Sequence, residues 1–170
     1  MSQQLGPASF EYYPSGGHDT GLVMAFPEDA SQTFVKGDLV VLDATTGELK
    51  ECGADPAKIL GIALDDATGV TGSSINVQVI RPGDQFKATF ENAFVIADRF
   101  GKFEISTTAA GRWRIDDAST ANNSRVILLN SLEYSADGLL ESQAGGAVIC
   151  TFMAEDGTTL GILNFASGND

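Results

Sequence analysis

The chain reads as an all-β protein, a small barrel or sandwich with one short helix, and three observations carry that expectation. Glycine is plentiful, at 19 of 170 residues. Val, Ile, Thr and Phe recur in short runs between Gly, Asp and Asn, while the helix-favouring Lys, Arg and Glu are sparse. About nine to eleven such runs follow one another at roughly 8 to 12-residue spacing, the rhythm of a sandwich or barrel. The length is that of one domain, and a domain of about 150 residues buries roughly 68 to 70% of its unfolded surface. Hydrophobic residues at 43% and charged residues at 19% are globular rather than disordered composition. No repeat of about 20 to 50 residues is present, which excludes solenoids and propellers.

Residues 1–20 form an extended N-terminal arm, rich in Gln, Ser, Gly and Pro. Its exception is Phe10, Tyr12 and Tyr13, three aromatics that need a surface to pack on, either the chain's own or a neighbour's. Residues 21–170 are expected to form a single β-rich domain. "GLVMAF" is a short apolar strand stopped by Pro27, Glu28 and Asp29. "DLVVLD" follows the Lys36-Gly37-Asp38 turn, and its unbroken Leu39, Val40, Val41, Leu42 implies burial on both faces. "ATTG" turns the chain, with Gly47 free to take a positive φ, and "ELKEC" returns as a half-exposed partner. "ILGIALDD" is interrupted by Gly61, the mark of a bulge or of a close backbone approach.

"INVQVI" alternates, placing Ile75, Val77 and Val79 on one face, and stops at Arg81, Pro82, Gly83, Asp84. "FKATF" resumes with Phe86, Ala88 and Phe90 on one face. Phe90, Phe94 and Ala97 then fall at i, i+4 and i+7 before Gly101, which predicts a short helix near residues 90–100. "KFEIS", "GRWRID", "RVILLNSLEY" and "AVICTFM" are further strands, with an inserted loop at 131–146. The Asp156-Gly157 turn predicts a closing hairpin with "LGILNF".

Charge narrows the function by exclusion. With 23 acidic and 10 basic side chains the net charge is −13, a field that repels phosphates, so no direct nucleic-acid binding is expected. The one close cation cluster is Arg112-Trp113-Arg114. In a strand its arginines share a face and Trp113 points to the other, so Trp113 reads as a core or subunit-interface residue flanked by solvated arginines. No apolar run approaches the roughly 20 residues of a membrane span, and no secretory segment is visible, so the chain is expected in a cytoplasm with no membrane partner. Cys52 and Cys150 read as reduced, small hydrophobic residues, although a single bridge between them stays open.

Chemistry is thin along the whole chain. His18 is the single histidine, set in "GGHDTG" beside Asp19, with no G-x-S-x-G elbow to supply a nucleophile. One His and two distant Cys do not make a zinc site, and no metal is expected. "DATTGE", "DDATG" and "DDAST" are acid-rich turns, yet none fits the calcium loop D-x-[DN]-x-[DN]-G-x5-E, and Asp in turns normally caps its own backbone. Neither a catalytic set nor a cofactor is expected, and the chain reads as a non-enzyme.

The stretch "FVKGDLVVLDATTGELKECGADPAKILGIALDDA", followed by "INVQVIRPGDQFKA", resembles the decoration, or cement, proteins of tailed-phage capsids, which are head-stabilising structural proteins of the virion. The shared pattern is an arm, a "KGD-V-L" strand, a turn, an "iGiAl-dA" strand and an alternating "V-V--pG" strand. It covers roughly Gln32 to Ala88 well and the remainder by character only. The resemblance implies a β-barrel or β-tulip domain that assembles, often as a trimer, on the outer face of the icosahedral head. There it would clamp adjacent major capsid protein subunits against internal DNA pressure. An arm of about 20 extended residues reaches up to ~65 Å, enough to cross a subunit boundary. Phe10, Tyr12 and Tyr13 are then the candidate capsid contacts, and Trp113, Arg112 and Arg114 the candidate subunit interface. This chain departs from the pattern in being longer than a minimal decoration domain, so "SLEYSADGLLESQAGG" is an added loop or second lobe. Two alternatives stay open: a tail or head-tail β-barrel of the virion, and a carbohydrate-binding or hydrolytic β-sandwich.

Overall fold

The computed structural model describes residues 9–14, 21–53, 56, 58–81, 83–107, 113–116, 126–132 and 143–153. Arg112, His18, most of the 131–146 loop and the "LGILNF" segment lie outside the described residues. Eleven strands among these residues form two antiparallel sheets. The larger has the order β1 (Glu11–Tyr13), β7 (Gln85–Thr89), β11 (Ala147–Phe152), β10 (Val126–Ser131), β8 (Lys102–Thr107), β9 (Trp113–Asp116). The smaller has the order β2 (Leu22–Pro27), β6 (Ser74–Val79), β5 (Gly61–Ala63), β3 (Leu39–Leu42), β4 (Leu49–Glu51).

Both sheets curl strongly. Glu28, just beyond β2, makes an isolated parallel bridge to Leu49 in β4, so the two edge strands of the smaller sheet touch. In the larger sheet Phe90, just beyond β7, bridges Ile115 in β9 in the same way. Each contact is a single bridge, and neither sheet closes into a barrel. Of the architectures compatible with the sequence, the chain adopts packed, curled sheets.

Two cores result, and β3 is the wall between them. Phe34, Val40, Leu49, Leu60, Ala63, Ile75, Val77 and Val79 fill the inside of the smaller sheet, with Leu42 packed against them. Leu39 and Ile62 point the other way, into a larger core with Phe86, Phe90, Ile105, Trp113, Leu128 and Phe152, and Val41 packs on it. The unbroken apolar run of β3 is thus buried on alternate sides by different cores, as its sequence implied. Alternation in β6 and β7 likewise places Ile75, Val77 and Val79 in the small core and Phe86, Ala88 and Phe90 in the large one. Gly61 is the close approach its place in a strand suggested: a Cβ there would lie 2.3 Å from the Gln78 carbonyl oxygen.

One expectation about the fold needs correction. The helix near 90–100 shrinks to one 3-10 turn at Ile96–Asp98. Its first apolar position, Phe90, is already committed to the sheet, accepting from Gly145 N at 2.9 Å and donating to Gly146 O at 3.1 Å, and Glu91 N donates to Ile115 O at 2.9 Å. A backbone held this way cannot enter a helical hydrogen-bond ladder. The closing hairpin with "LGILNF" lies outside the described residues. β11 itself is paired with β10 on one edge and, over Ala147–Cys150, with β7 on the other.

Candidate contact surface

The arm is tied to its own chain. β1 pairs with β7 in the register Glu11↔Lys87, Tyr12↔Phe86, Tyr13↔Gln85. Phe10 is 2% exposed, with its ring centroid 4.9 Å from that of Phe152. Tyr12 stands edge-on to Phe86 at 5.8 Å, and Phe86 in turn lies 5.1 Å from Phe152. This aromatic chain draws the arm into the large core. Phe10 is therefore a core residue and not a capsid contact, which corrects its assignment. Tyr12 and Tyr13 keep part of their surface, and Glu11 and Pro14 are exposed.

The Lys36-Gly37-Asp38 turn joins the parts. Gly37 has φ 99°, donates its N–H to Ala63 O at 2.8 Å and accepts at its carbonyl from the Ser9 hydroxyl of the arm. Asp38 is 8% exposed and spends both oxygens. One accepts from Val35 N at 2.8 Å, and the other from the Trp113 indole N–H at 3.2 Å. One turn thus fastens the arm, β5 and β9 of the opposite sheet.

Trp113 is 2% exposed and belongs to the large core, so it is not available to a neighbouring subunit. Period-2 geometry does turn Arg114 the other way. There it pairs with Glu91 at 2.7 Å and donates to Ser106 Oγ at 3.3 Å, so it is not a freely solvated cation. Arg112 lies outside the described residues. Trp113 is thus placed in the core, and Arg114 stays partly exposed in an ion pair on the sheet surface.

Beside β1 lies an open cavity of about 440 Å³, walled by Ser9 to Tyr12 on one side and by Lys36, Ile62 and Leu64 on the other. Gln78 also lines it, and its buried Nε2 has no acceptor among the described residues.

Among the described residues, the buried carboxylates Glu28, Asp38 and Asp84 and the partly buried Asp43 hold the fold's own donors. Glu28 is fully covered and accepts from Thr68 N at 2.9 Å, Thr68 Oγ1 at 2.6 Å and Gly69 N at 2.6 Å. Burial pushes its carboxyl up, but these hydrogen bonds outweigh burial and hold it below its ordinary 4.5. Asp43 caps Thr45 N and Thr46 N in the "ATTG" turn and pairs with Lys50. Cys52 and Cys150 are free and buried, and burial pushes both thiols up, with Glu51 adding to the effect at Cys52. Among the described residues no group of three His, Cys, Asp or Glu is placed to hold a metal ion, and no helix is long and apolar enough to cross a membrane.

Sequence reasoning missed one surface feature. Val95, Ile96 and Phe100 are 44%, 59% and 66% exposed on the β7–β8 connection. The helical spacing of Phe90, Phe94 and Ala97 masked them, because only Phe94 of the residues beyond Phe90 turns inward. Their signal was composition: four apolar residues in "VIADRF" beside only one buried partner. A scan of protein-family models and a search of curated proteins returned no match to this chain.

Proposed function

We propose that the chain is a virion structural protein, a capsid decoration or cement protein that binds the outer face of an icosahedral head. The observation that carries this reading is the behaviour of the stretch resembling that family. Gln32 to Ala88 holds four of the five strands of the smaller sheet and nearly all of its core, so the shared motifs belong to one folded unit. That unit is clamped to the arm at Gly37 and to the larger sheet at Asp38. Rigidity of this kind suits a protein that resists shell expansion, since preorganised parts lose little freedom on docking. Major capsid protein is the proposed partner, with several copies of this chain acting together on adjacent subunits.

The test is addition of purified protein to heads lacking it, followed by sedimentation. Saturable binding at a fixed ratio to the shell protein, with raised resistance of the heads to heat or chelation, is expected. Absence of binding, or assembly of the free protein into tubes, would sink the reading in favour of a tail component. Contact by the arm is tested at Tyr13, whose surface is partly free, because deletion of residues 1–20 would also remove Phe10 from the core.

A further inference from the structure

We infer that the open cavity beside β1 is a binding site for a small, uncharged amide with an apolar body, read by the carboxamide of Gln78. Alternation in β6 sends Val77 and Val79 into the small core, so Gln78 points to the other face, beside its cross-strand partner Ile62. Gln78 is 9% exposed, and its Nε2 has no acceptor among the described residues. A buried amide without its partners costs the isolated fold stability, a cost that leucine in its place would not carry. Gly21 makes room for the carboxamide, since a Cβ at that position would lie 1.5 Å from Nε2.

The walls are built before any ligand arrives. On one side β1 is laddered to β7, and the Ser9 hydroxyl fastens the arm to the Gly37 carbonyl. On the other, Gly37 N donates to Ala63 O at 2.8 Å and Leu64 N to Asn76 O at 2.9 Å. The volume, about 440 Å³, falls within the roughly 300 to 1,000 Å³ of small-molecule sites, which are usually preformed in this way.

The chemistry of the walls selects the occupant. Phe10, Ile62 and Leu64 offer apolar surface. Among the described residues the charged side chains of the lining are Lys36 and Glu11, one of each sign, so the lining carries no net charge. A bound carboxylate would meet Glu11 as well as Lys36, and the chain's net charge of −13 opposes anions further. A bound ammonium would likewise meet Lys36. The remaining polar partner is Gln78, whose carboxamide has donors at one end and an acceptor at the other. The group that answers both is another amide, and the match is the same if the carboxamide turns over. The cavity lies within one copy of the chain, so the site is independent of the capsid reading.

The experiment is a titration of the isotope-labelled full chain with N-acetyl-leucinamide. Heteronuclear NMR follows the backbone amides of Phe10, Ile62 and Leu64 and the side-chain amide of Gln78. Saturable shifts at these positions are expected, with a dissociation constant on the order of millimolar for a ligand of this size. N-acetyl-leucine, an anion, and leucinamide, a cation, should bind at least about tenfold more weakly. Gln78→Leu should lower the affinity for N-acetyl-leucinamide at least about tenfold, while its urea midpoint holds or rises. Gly21→Ala should weaken binding as well, by displacing the carboxamide. Leu64→Trp fills the cavity from a half-buried position and should abolish binding, which keeps the test decisive if Gln78→Leu does not fold. Tyr13→Ser, outside the lining, should bind as the wild type does. Absence of saturable shifts, shifts away from the cavity, tighter binding of either charged probe, or unchanged affinity in Gln78→Leu or Leu64→Trp would overturn the inference.

Discussion

Replacing Asp38 by alanine removes the acceptor of two donors at once, the buried indole N–H of Trp113 and the amide of Val35. A buried donor left without a partner costs about 1 to 3 kcal/mol, so Asp38→Ala should destabilise by about 2 kcal/mol or more. Urea unfolding followed by tryptophan fluorescence checks this directly, Trp113 being the single tryptophan of the chain. Glu28 supplies a pH test. Its folded-state carboxyl lies below the ordinary 4.5, so its contribution to stability is fully present above that value and is lost as pH falls through the lower folded value. Glu28→Gln should therefore lower the urea midpoint at neutral pH, and the gap to wild type should narrow below pH 4.5. Cys52 and Cys150, covered and with raised thiol pKa, should resist iodoacetamide in the folded protein and react on unfolding, which mass spectrometry resolves.

At the level of elements, β1 is laddered to β7 and the Phe10 ring just before it is buried in the large core. Phe10→Ala should cost about 3 to 5 kcal/mol, the usual range for a buried phenylalanine, while Tyr13→Ser should change stability by no more than about 0.5 kcal/mol. Chemical denaturation of the two variants distinguishes an arm built into the core from one laid over it. The three aromatics announced in the sequence that the arm packs on something, but the choice between its own sheet and a neighbour depended on Phe86 and Phe152, which lie far along the chain. Strands β3 to β7 were legible because turn chemistry and alternation are local, as at Gly47, which takes φ 73°, and Gly83, which takes φ 85°. The helix was misread for the opposite reason. Spacing at Phe90, Phe94 and Ala97 is local, whereas the bridge from Phe90 to Ile115 that overrules it is not.

The whole molecule should unfold as one unit. Leu39, Cys52, Ile62 and Ile80 come from or flank the smaller sheet yet belong to the core of the larger, so neither sheet keeps an intact interior without the other. Calorimetry should give one transition with equal van't Hoff and calorimetric enthalpies, and two resolved transitions would show the sheets to be separable. The candidate contact residues were the least legible part of the chain, since burial of Phe10 and Trp113 and exposure of Phe100 are set by tertiary neighbours that no short window contains. The shared wall has an evolutionary consequence as well. A strand with one dry face and one wet face accepts substitutions at every second position, as β6 can at exposed Asn76. β3 has a core on each side, with Leu39 and Val40 fully buried in opposite cores and Val41 and Leu42 packed against them, so a saturation library should return this strand with a narrower residue alphabet than β6.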